Sequence, residues 1–198
     1  MGRVLVACEF SGTVRDAFRA RGHDAVSCDV LETEVPGPHY HGDVRDILSD
    51  GWDLMIAHPP CTYLARSGLH WNKRQPGRDA LTAEALDFVR LLLSAPIPRI
   101  AVENPPGRIG TAIRKADQYV QPWQYGHDAR KMTGLWLVGL PLLQPTVILP
   151  GGNGPRANTT ATGQCKLGPG PDRWRERSRT YQGIADAMAD QWGLLLLR

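Results

Sequence analysis

Apolar positions fall in short runs divided by turn-forming residues, and the runs alternate between a strand-like and a helix-like period. Arg3–Cys8 (RVLVAC) is rich in β-branched residues and leads through Glu9, Phe10, Ser11 and Gly12 into helical spacing over Thr13–Arg21. Gly22-His23 closes that helix, and Asp24–Asp29 (DAVSCD) forms a second strand ending in an acid. Strand, tight turn, helix and strand make one βαβ unit, whose crossover requires parallel pairing. A Pro/Gly/His-rich loop at 36–42 precedes a further strand, Asp53–Ala57, which stops at His58-Pro59-Pro60 because proline cannot continue a ladder. Residues 61–78 read as a polar, aromatic and basic loop. Leu81, Ala85, Leu86, Val89, Leu92 and Leu93 then place a helix over Ala80–Leu93. Arg99–Glu103 is the next strand, cut off by Asn104-Pro105-Pro106-Gly107. Thr133–Val138 and the segment near Tyr119 alternate like late strands, 141–179 shows no period, and Thr180–Trp192 is a closing amphipathic helix. The expected fold is α/β, a mostly parallel, Rossmann-like central sheet with helices on both faces.

At 198 residues and 42% hydrophobic content the chain suffices for one sizeable core and is too short for two full domains. The 16 Pro and 21 Gly cluster between the apolar runs, which excludes a disordered polymer. No apolar stretch approaches the roughly 18 residues of a membrane span, and the first residues run straight into a strand. A soluble, cytoplasmic protein is expected. The four cysteines, Cys8, Cys28, Cys61 and Cys165, contain no Cys-x-x-Cys pair, against a disulfide framework or a four-cysteine zinc site. The net charge of +3 conceals an asymmetry: residues 1–98 hold 10 Lys/Arg against 13 Asp/Glu, residues 99–198 hold 13 against 7. The basic half is either a polyanion-binding surface or a merely solvated one.

Glu9, Asp29, Asp43, Cys61 and Glu103 all follow strands, and an open parallel sheet binds its ligand outside the carboxyl ends of its strands. The five can therefore meet in one crevice that takes a nucleotide-type ligand. Phe10-Ser11-Gly12 with Asp29 makes a weak dinucleotide fingerprint, since one glycine stands where three are usual, and Glu9 would repel a pyrophosphate. A ligand with a ribose and a positive or zwitterionic end, such as S-adenosylmethionine, suits it better. Cys61, on a proline-stiffened turn, is either an ordinary cysteine or a nucleophile whose thiol is activated by its surroundings.

Pro59-Pro60-Cys61 and Glu103-Asn104 in this order resemble the catalytic signatures of the DNA (cytosine-5)-methyltransferases, with Pro105 in place of the usual valine. Phe10-Ser11-Gly12 looks like that family's cofactor loop, Asp29 like its ribose-side acid, Gly42-Asp43-Val44 like its adenine-contacting segment, and 181–192 like its closing helix. The resemblance covers residues 3–139 and 180–193. It implies an S-adenosylmethionine-dependent methyltransferase fold with a catalytic and cofactor core over 1–139, a short basic target-recognition segment over 140–179, and a helix returning to the core over 180–198. Cys61 would attack C6 of a flipped cytosine, with Glu103 on N3 and Asn104 beside it. The implied cofactor set is Glu9, Phe10, Ser11, Gly12, Asp29, Val30, Asp43, Val44, Pro59 and Gly183. DNA, in double-stranded form, would meet Arg66, Trp71, Lys73 and Arg74 on a lid after Cys61, Arg130 and Lys131, and the run Arg173, Arg175, Arg177 and Arg179.

Two departures stand out. Where the family carries Gln-x-Arg-x-Arg, this chain has Ala129, Lys131 and Thr133, so Arg130 or Lys131 must take over the contact with cytosine. About 40 residues replace a large reading domain, which implies a short target of about two to four bases or recognition dominated by phosphate. Proteins of this reduced form look like those of bacteriophages acting in a bacterial host, and a monomer without metal is expected. A zinc deaminase is rejected, since Leu64 stands where its second cysteine belongs, and His39, His41, His58 and Cys61 match no standard metal spacing. Two rivals stay open: a nucleotide-level pyrimidine C5 modifier acting on dCMP, and a non-catalytic DNA-binding relative.

Overall fold

The structure, a computed structural model, describes residues 1–197, apart from the side chain of Lys73. Strands β1 (Arg3–Ala7), β2 (Asp24–Asp29), β3 (His39–His41), β4 (Leu54–Ala57), β5 (Ile100–Asn104), β6 (Gln118–Val120) and β7 (Thr133–Val138) form one sheet in the order β3-β2-β1-β4-β5-β7-β6. The first five pair in parallel, and β7 runs antiparallel between β5 and β6. This is the expected Rossmann-like α/β architecture.

Alternation along β1 sorts the core into two layers. Val4 and Val6 face the layer that holds Phe18 of α1 (Thr13–Arg19) and Ile184, Met188 and Trp192 of α5 (Gln182–Gly193). Leu5 and Ala7 face the other, with Leu86, Val89 and Leu92 of α2 (Arg78–Leu93). Two short helices, α3 (Ile109–Ala112) and α4 (Arg173–Ser178), complete the set among the described residues. Burying each large apolar side chain contributes roughly 1.5–3 kcal/mol, so strands apolar on both faces fix a sheet sandwiched by helices.

Several boundaries differ from the sequence-based expectation, each for a local reason. β1 ends at Ala7 because Cys8 adopts φ 58°, the left-handed region. The loop expected at 36–42 contains β3, held by His39, whose ring nitrogens lie 2.9 Å from Ser27 Oγ and from the Leu31 carbonyl. Within 61–78, Arg66–Lys73 winds into 3-10 turns, and α2 begins at Arg78 after Gly77 turns the chain at φ 78°. Helix α4 lies inside the aperiodic 141–179 stretch; with five polar residues around the single Trp174 it has no buried residue and leaves no hydrophobic period. The remaining shifts, at the ends of α1, β4, β5 and α5, are of one or two residues.

Candidate active site

The turns that follow β1, β4 and β5 meet at the carboxyl edge of the sheet, and two cavities open there. The larger, about 1030 Å³, is lined by Cys61, Glu103 and Asn104 together with Glu9, Phe10 and Ser11. The smaller, about 220 Å³, is lined by Asp29, Val30, Asp43 and Val44, with Phe88 of α2. Cys8 and Pro60 line both, so the cavities adjoin. Cys8 is the only non-glycine residue with positive φ among those described. A strained backbone of this kind costs about 1–3 kcal/mol and persists where its surroundings demand it. Burial pushes the thiols of Cys8 and Cys28 up, that of Cys28 to about 12, so both stay protonated.

Glu9 is buried, and its carboxylate accepts from the backbone N–H of Val14 at 2.7 Å and of Arg15 at 3.2 Å, and from Ser11 Oγ at 3.2 Å. These are the donors that a helix N-terminus would otherwise offer to a phosphate. Glu9 fills that place itself, so these N–H groups are already occupied by a carboxylate of the chain. Burial raises the Glu9 pKa against the opposing pull of the charge on His58 and of the two helix N–H groups. Gly12 caps α1 at φ 73°, and a Cβ there would stand 2.6 Å from the Arg15 guanidinium. Arg15 is fully buried and donates to Ser27 Oγ, Thr33 Oγ1 and the carbonyls of Val35 and Pro36. It thereby fastens the loop after β2 to the turn after β1.

The Pro59-Pro60-Cys61 turn is held from β5. Asn104 Nδ2 donates to the Pro59 carbonyl at 2.7 Å. Farther along, Arg66 N donates to the Pro106 carbonyl at 3.0 Å and Arg108 N to the Leu64 carbonyl at 2.8 Å. Gly107 permits this lacing, since a Cβ there would overlap the Leu64 carbonyl. Cys61 itself is exposed within the cleft, and its carbonyl accepts from the N–H groups of Leu64 and Ala65.

His58, the residue before the proline pair, makes a close ionic contact across the site: its Nδ1 lies 2.7 Å from Glu103 Oε2. Thr180 Oγ1 donates to the same oxygen at 3.3 Å. Burial alone would drive His58 neutral, but the Glu103 carboxylate outweighs it and raises the histidine pKa. Burial likewise pushes Glu103 up, yet His58 and then Lys131 pull it down to about 2. Glu103 is therefore ionised at neutral pH, and its charge favours the protonated form of His58.

Lys131 Nζ donates to the Arg179 carbonyl at 2.9 Å. Arg130 is pinned through its backbone to Asn158, which accepts from Arg130 N at 2.8 Å and donates to Arg130 O at 3.0 Å. Both residues line the large cavity. The arginine run divides. Arg173, Arg177 and Arg179 line the cavity, and Arg175 does not. Arg175 lies over the rings of Phe10 and Trp174, and Arg179 forms ion pairs with Glu34 and Glu176 at 2.9 Å. Arg175 thus helps to seat α4 on the turn after β1, where Phe10 and Trp174 pack with ring centroids 5.8 Å apart, while Arg179 faces the cavity with its charge already paired to Glu34 and Glu176.

Arg66 and Trp71 on the 3-10 segment and Arg74 just past its end are exposed, outside the lining of the cavity, with the Arg74 guanidinium 5.7 Å from the Trp71 ring centre. The side chain of Lys73 lies outside the described residues. Gly12 and Gly183 line neither cavity. Gly183 instead lets α5 approach: its N–H donates to His127 Nε2 at 2.8 Å, and a Cβ there would overlap the Tyr125 carbonyl. Among the described residues no three His, Cys, Asp or Glu side chains converge as metal ligands do, and no helix is long and apolar enough to cross a membrane. Sequence reasoning did not single out Cys8, Arg15 or His58 as parts of the site. His58 alone carried a signal, its place directly before Pro59-Pro60-Cys61.

No family model matches the chain, and no curated protein matches it in sequence. Among solved structures it is similar to a crystal structure described as that of a DNA modification methyltransferase encoded within a prophage (E. coli), with a TM-score of 0.50 and 16% sequence identity. The match covers 76% of this chain and 52% of the other, so the chain spans about half the length of that neighbour. At this identity the likeness is one of fold.

Proposed function

We propose that this protein is a DNA cytosine-5 methyltransferase that uses S-adenosylmethionine and forms a covalent adduct through Cys61. The observation that carries the reading is the junction of the two cavities: an exposed thiol and a buried carboxylate line one, Asp29 and Asp43 line the other, and Cys8 and Pro60 border both. The fold shared with the structural neighbour, whose description assigns it to the DNA modification methyltransferases, is in keeping with the same reading.

The smaller cavity fits an adenosyl group. Asp29 would accept from ribose hydroxyls, and Val30, Val44 and Phe88 offer apolar surface to a purine. When bound, S-adenosylmethionine supplies an electrophilic methyl group. The Cys61 sulfur attacks C6 of the cytosine, and Glu103 faces N3, where the displaced electron density collects. Asn104 holds the turn that carries Cys61 by its bond to the Pro59 carbonyl. After C5 is methylated, loss of its proton to a base and cleavage of the C6–sulfur bond restore the aromatic ring. Lys131 and Arg130 stand where a flipped base would lie against Glu103. Arg173 and Arg177, with Arg66 and Arg74 on the far side, supply phosphate contacts for a short target.

A nucleotide-level C5 modifier is the second reading, favoured by the shortness of residues 140–179 and by the internal use of Arg175 and Arg179. Labelled S-adenosylmethionine supplied with double-stranded DNA, single-stranded DNA and dCMP in parallel decides between them. Label is expected in DNA and absent with Cys61→Ser. Label in dCMP alone establishes the second reading, and label in none removes both.

A further inference from the structure

The pairing of His58 with Glu103 follows from the sheet. β4 and β5 run parallel with Ala57 opposite Val102, so the next residues, His58 just past β4 and Glu103 still within β5, come side by side. Their side chains are 12% and 10% exposed, and their contact of 2.7 Å is that of a charge-assisted hydrogen bond. His58 Nε2 is buried without a hydrogen-bond partner among the described residues. The ring lines the cleft, and among the described residues the Glu103 carboxylate is its one hydrogen-bond partner.

A carboxylate only accepts hydrogen bonds, and it can donate to a ring nitrogen only after taking up a proton. In this site the resting carboxylate has none, and the nearest proton sits on His58 Nδ1. We propose that His58 and Glu103 form a one-proton couple, in which His58 positions the carboxylate and stores the proton that Glu103 hands to the ring nitrogen of a bound pyrimidine. This rests on the cleft being a pyrimidine site. As the Cys61 sulfur bonds to C6 and the ring electrons move toward N3, one proton leaves Nδ1 for the carboxyl and one proton leaves the carboxyl for N3. His58 ends neutral and Glu103 ends as the carboxylate it was. When the C6–sulfur bond breaks, the proton returns by the same route, with no oxidant or co-reactant involved. The couple also selects its base: N3 of cytosine accepts a hydrogen bond, whereas N3 of uracil carries a hydrogen and has no use for a donor.

The charged groups facing His58 are Glu103 from β5, Glu9 from the turn after β1, and Lys131 from the segment entering β7; Glu9 supports the charge on the ring and Lys131 opposes it. Asp29 at the end of β2 feels the same charge more weakly.

Nitrogen-15 NMR of the histidine rings in the full chain, followed from pH 5 to 9 in wild type and Glu103→Gln, tests the couple without reference to activity. His58 is expected to hold both ring protons to higher pH than the other five histidines, and to lose that advantage in Glu103→Gln. A His58 that titrates with the others or below them overturns the proposal. Single-turnover rates against pH are the second arm. Wild type is expected to slow at alkaline pH with the midpoint seen by NMR. His58→Gln, which keeps an amide N–H for Glu103 but no titrating proton, is expected to be slower by about a hundredfold, with that alkaline limb gone and DNA affinity unchanged. His58→Gln that keeps the limb also overturns the proposal. If this variant fails to fold, the NMR arm decides alone. Methyl transfer to DNA alongside an ordinary His58 would remove the couple and leave the functional reading standing; a shifted His58 with no transfer to any pyrimidine would do the reverse.

Discussion

The two walls of the large cavity are built in different ways. The wall formed by the turns after β1, β4 and β5 is fastened through buried groups: Glu9 to the N–H groups of α1, Asn104 to the Pro59 carbonyl, His58 to Glu103, and Arg15 to four acceptors beneath. The opposite wall, Cys165–Tyr181, is fastened by a ring contact and by ion pairs at the surface, with the Arg179 side chain 39% exposed. Buried polar contacts made to the backbone fix geometry, because breaking one strands its partner out of water. Exposed ion pairs contribute little and exchange readily with solvent. The first wall is thus suited to hold reacting groups in place, and the second to admit and release a large ligand.

The contrast is broken most severely at Arg15. Arg15→Ala would take a buried donor from Ser27, Thr33 and the Pro36 carbonyl, leave the Val35 carbonyl to Thr33 Oγ1, break the 2.7 Å pair with Asp16, and open a hole beneath the turn after β1. The expected loss is about 3 kcal/mol, read from the midpoint of urea unfolding. A loss within the range of an ordinary surface substitution would show that the first wall does not depend on its buried support.

A smaller effect is expected from acid. Glu103 is held at about 2 in the fold against an ordinary value of 4.5, so it contributes stability that is fully present above about pH 4.5 and is lost as the pH falls toward 2. Glu9 and Asp29, raised by burial, act in the opposite sense, so the informative quantity is the difference between wild type and Glu103→Gln. Melting temperatures between pH 6 and 3 should show the wild type losing ground to the variant by a few degrees. Parallel curves would mean that the pair is not ionised in the fold.

Much of the first wall was legible in the sequence because its devices are local. Pro59 and Pro60 announce the end of β4, and Glu9, Asp29 and Glu103 stand at strand ends where the periodicity stops. Parallel pairing followed from the βαβ unit at the start of the chain, whereas the order of the strands and the sorting of β1 between two helical layers came only with the fold. The fastenings themselves were not legible, since they join residues far apart in the chain: Asn104 reaches back 45 positions to Pro59, and Arg15 looks like one more exposed arginine of an amphipathic helix. In the second wall the arginine run was visible as charge, but charge alone does not say which arginines face a ligand and which find a carboxylate or a ring on their own chain. The partners of Arg179 and Arg175 are Glu34 and Phe10, over 140 residues away, and only the fold brings them together.

The smallest effect is expected where the second wall meets the first. Glu34→Gln removes the carboxylate that accepts from Arg179 Nε at 3.0 Å and Nη2 at 2.9 Å, while Phe10, Trp174 and the Lys131 contact to the Arg179 carbonyl remain. The pair is partly exposed, so stability should fall by less than about 1 kcal/mol, and the difference should vanish near 1 M salt, where the screening length is about 3 Å. Local opening should respond more than global stability, because the segment is held by few buried contacts. Trypsin, which cuts after arginine, should therefore nick Arg173–Arg179 faster in Glu34→Gln than in wild type, with the rest of the chain cut at unchanged rates. A salt-independent loss of about 2 kcal/mol, the scale of a buried bond left unmade, together with unchanged nicking, would make the second wall as fixed as the first.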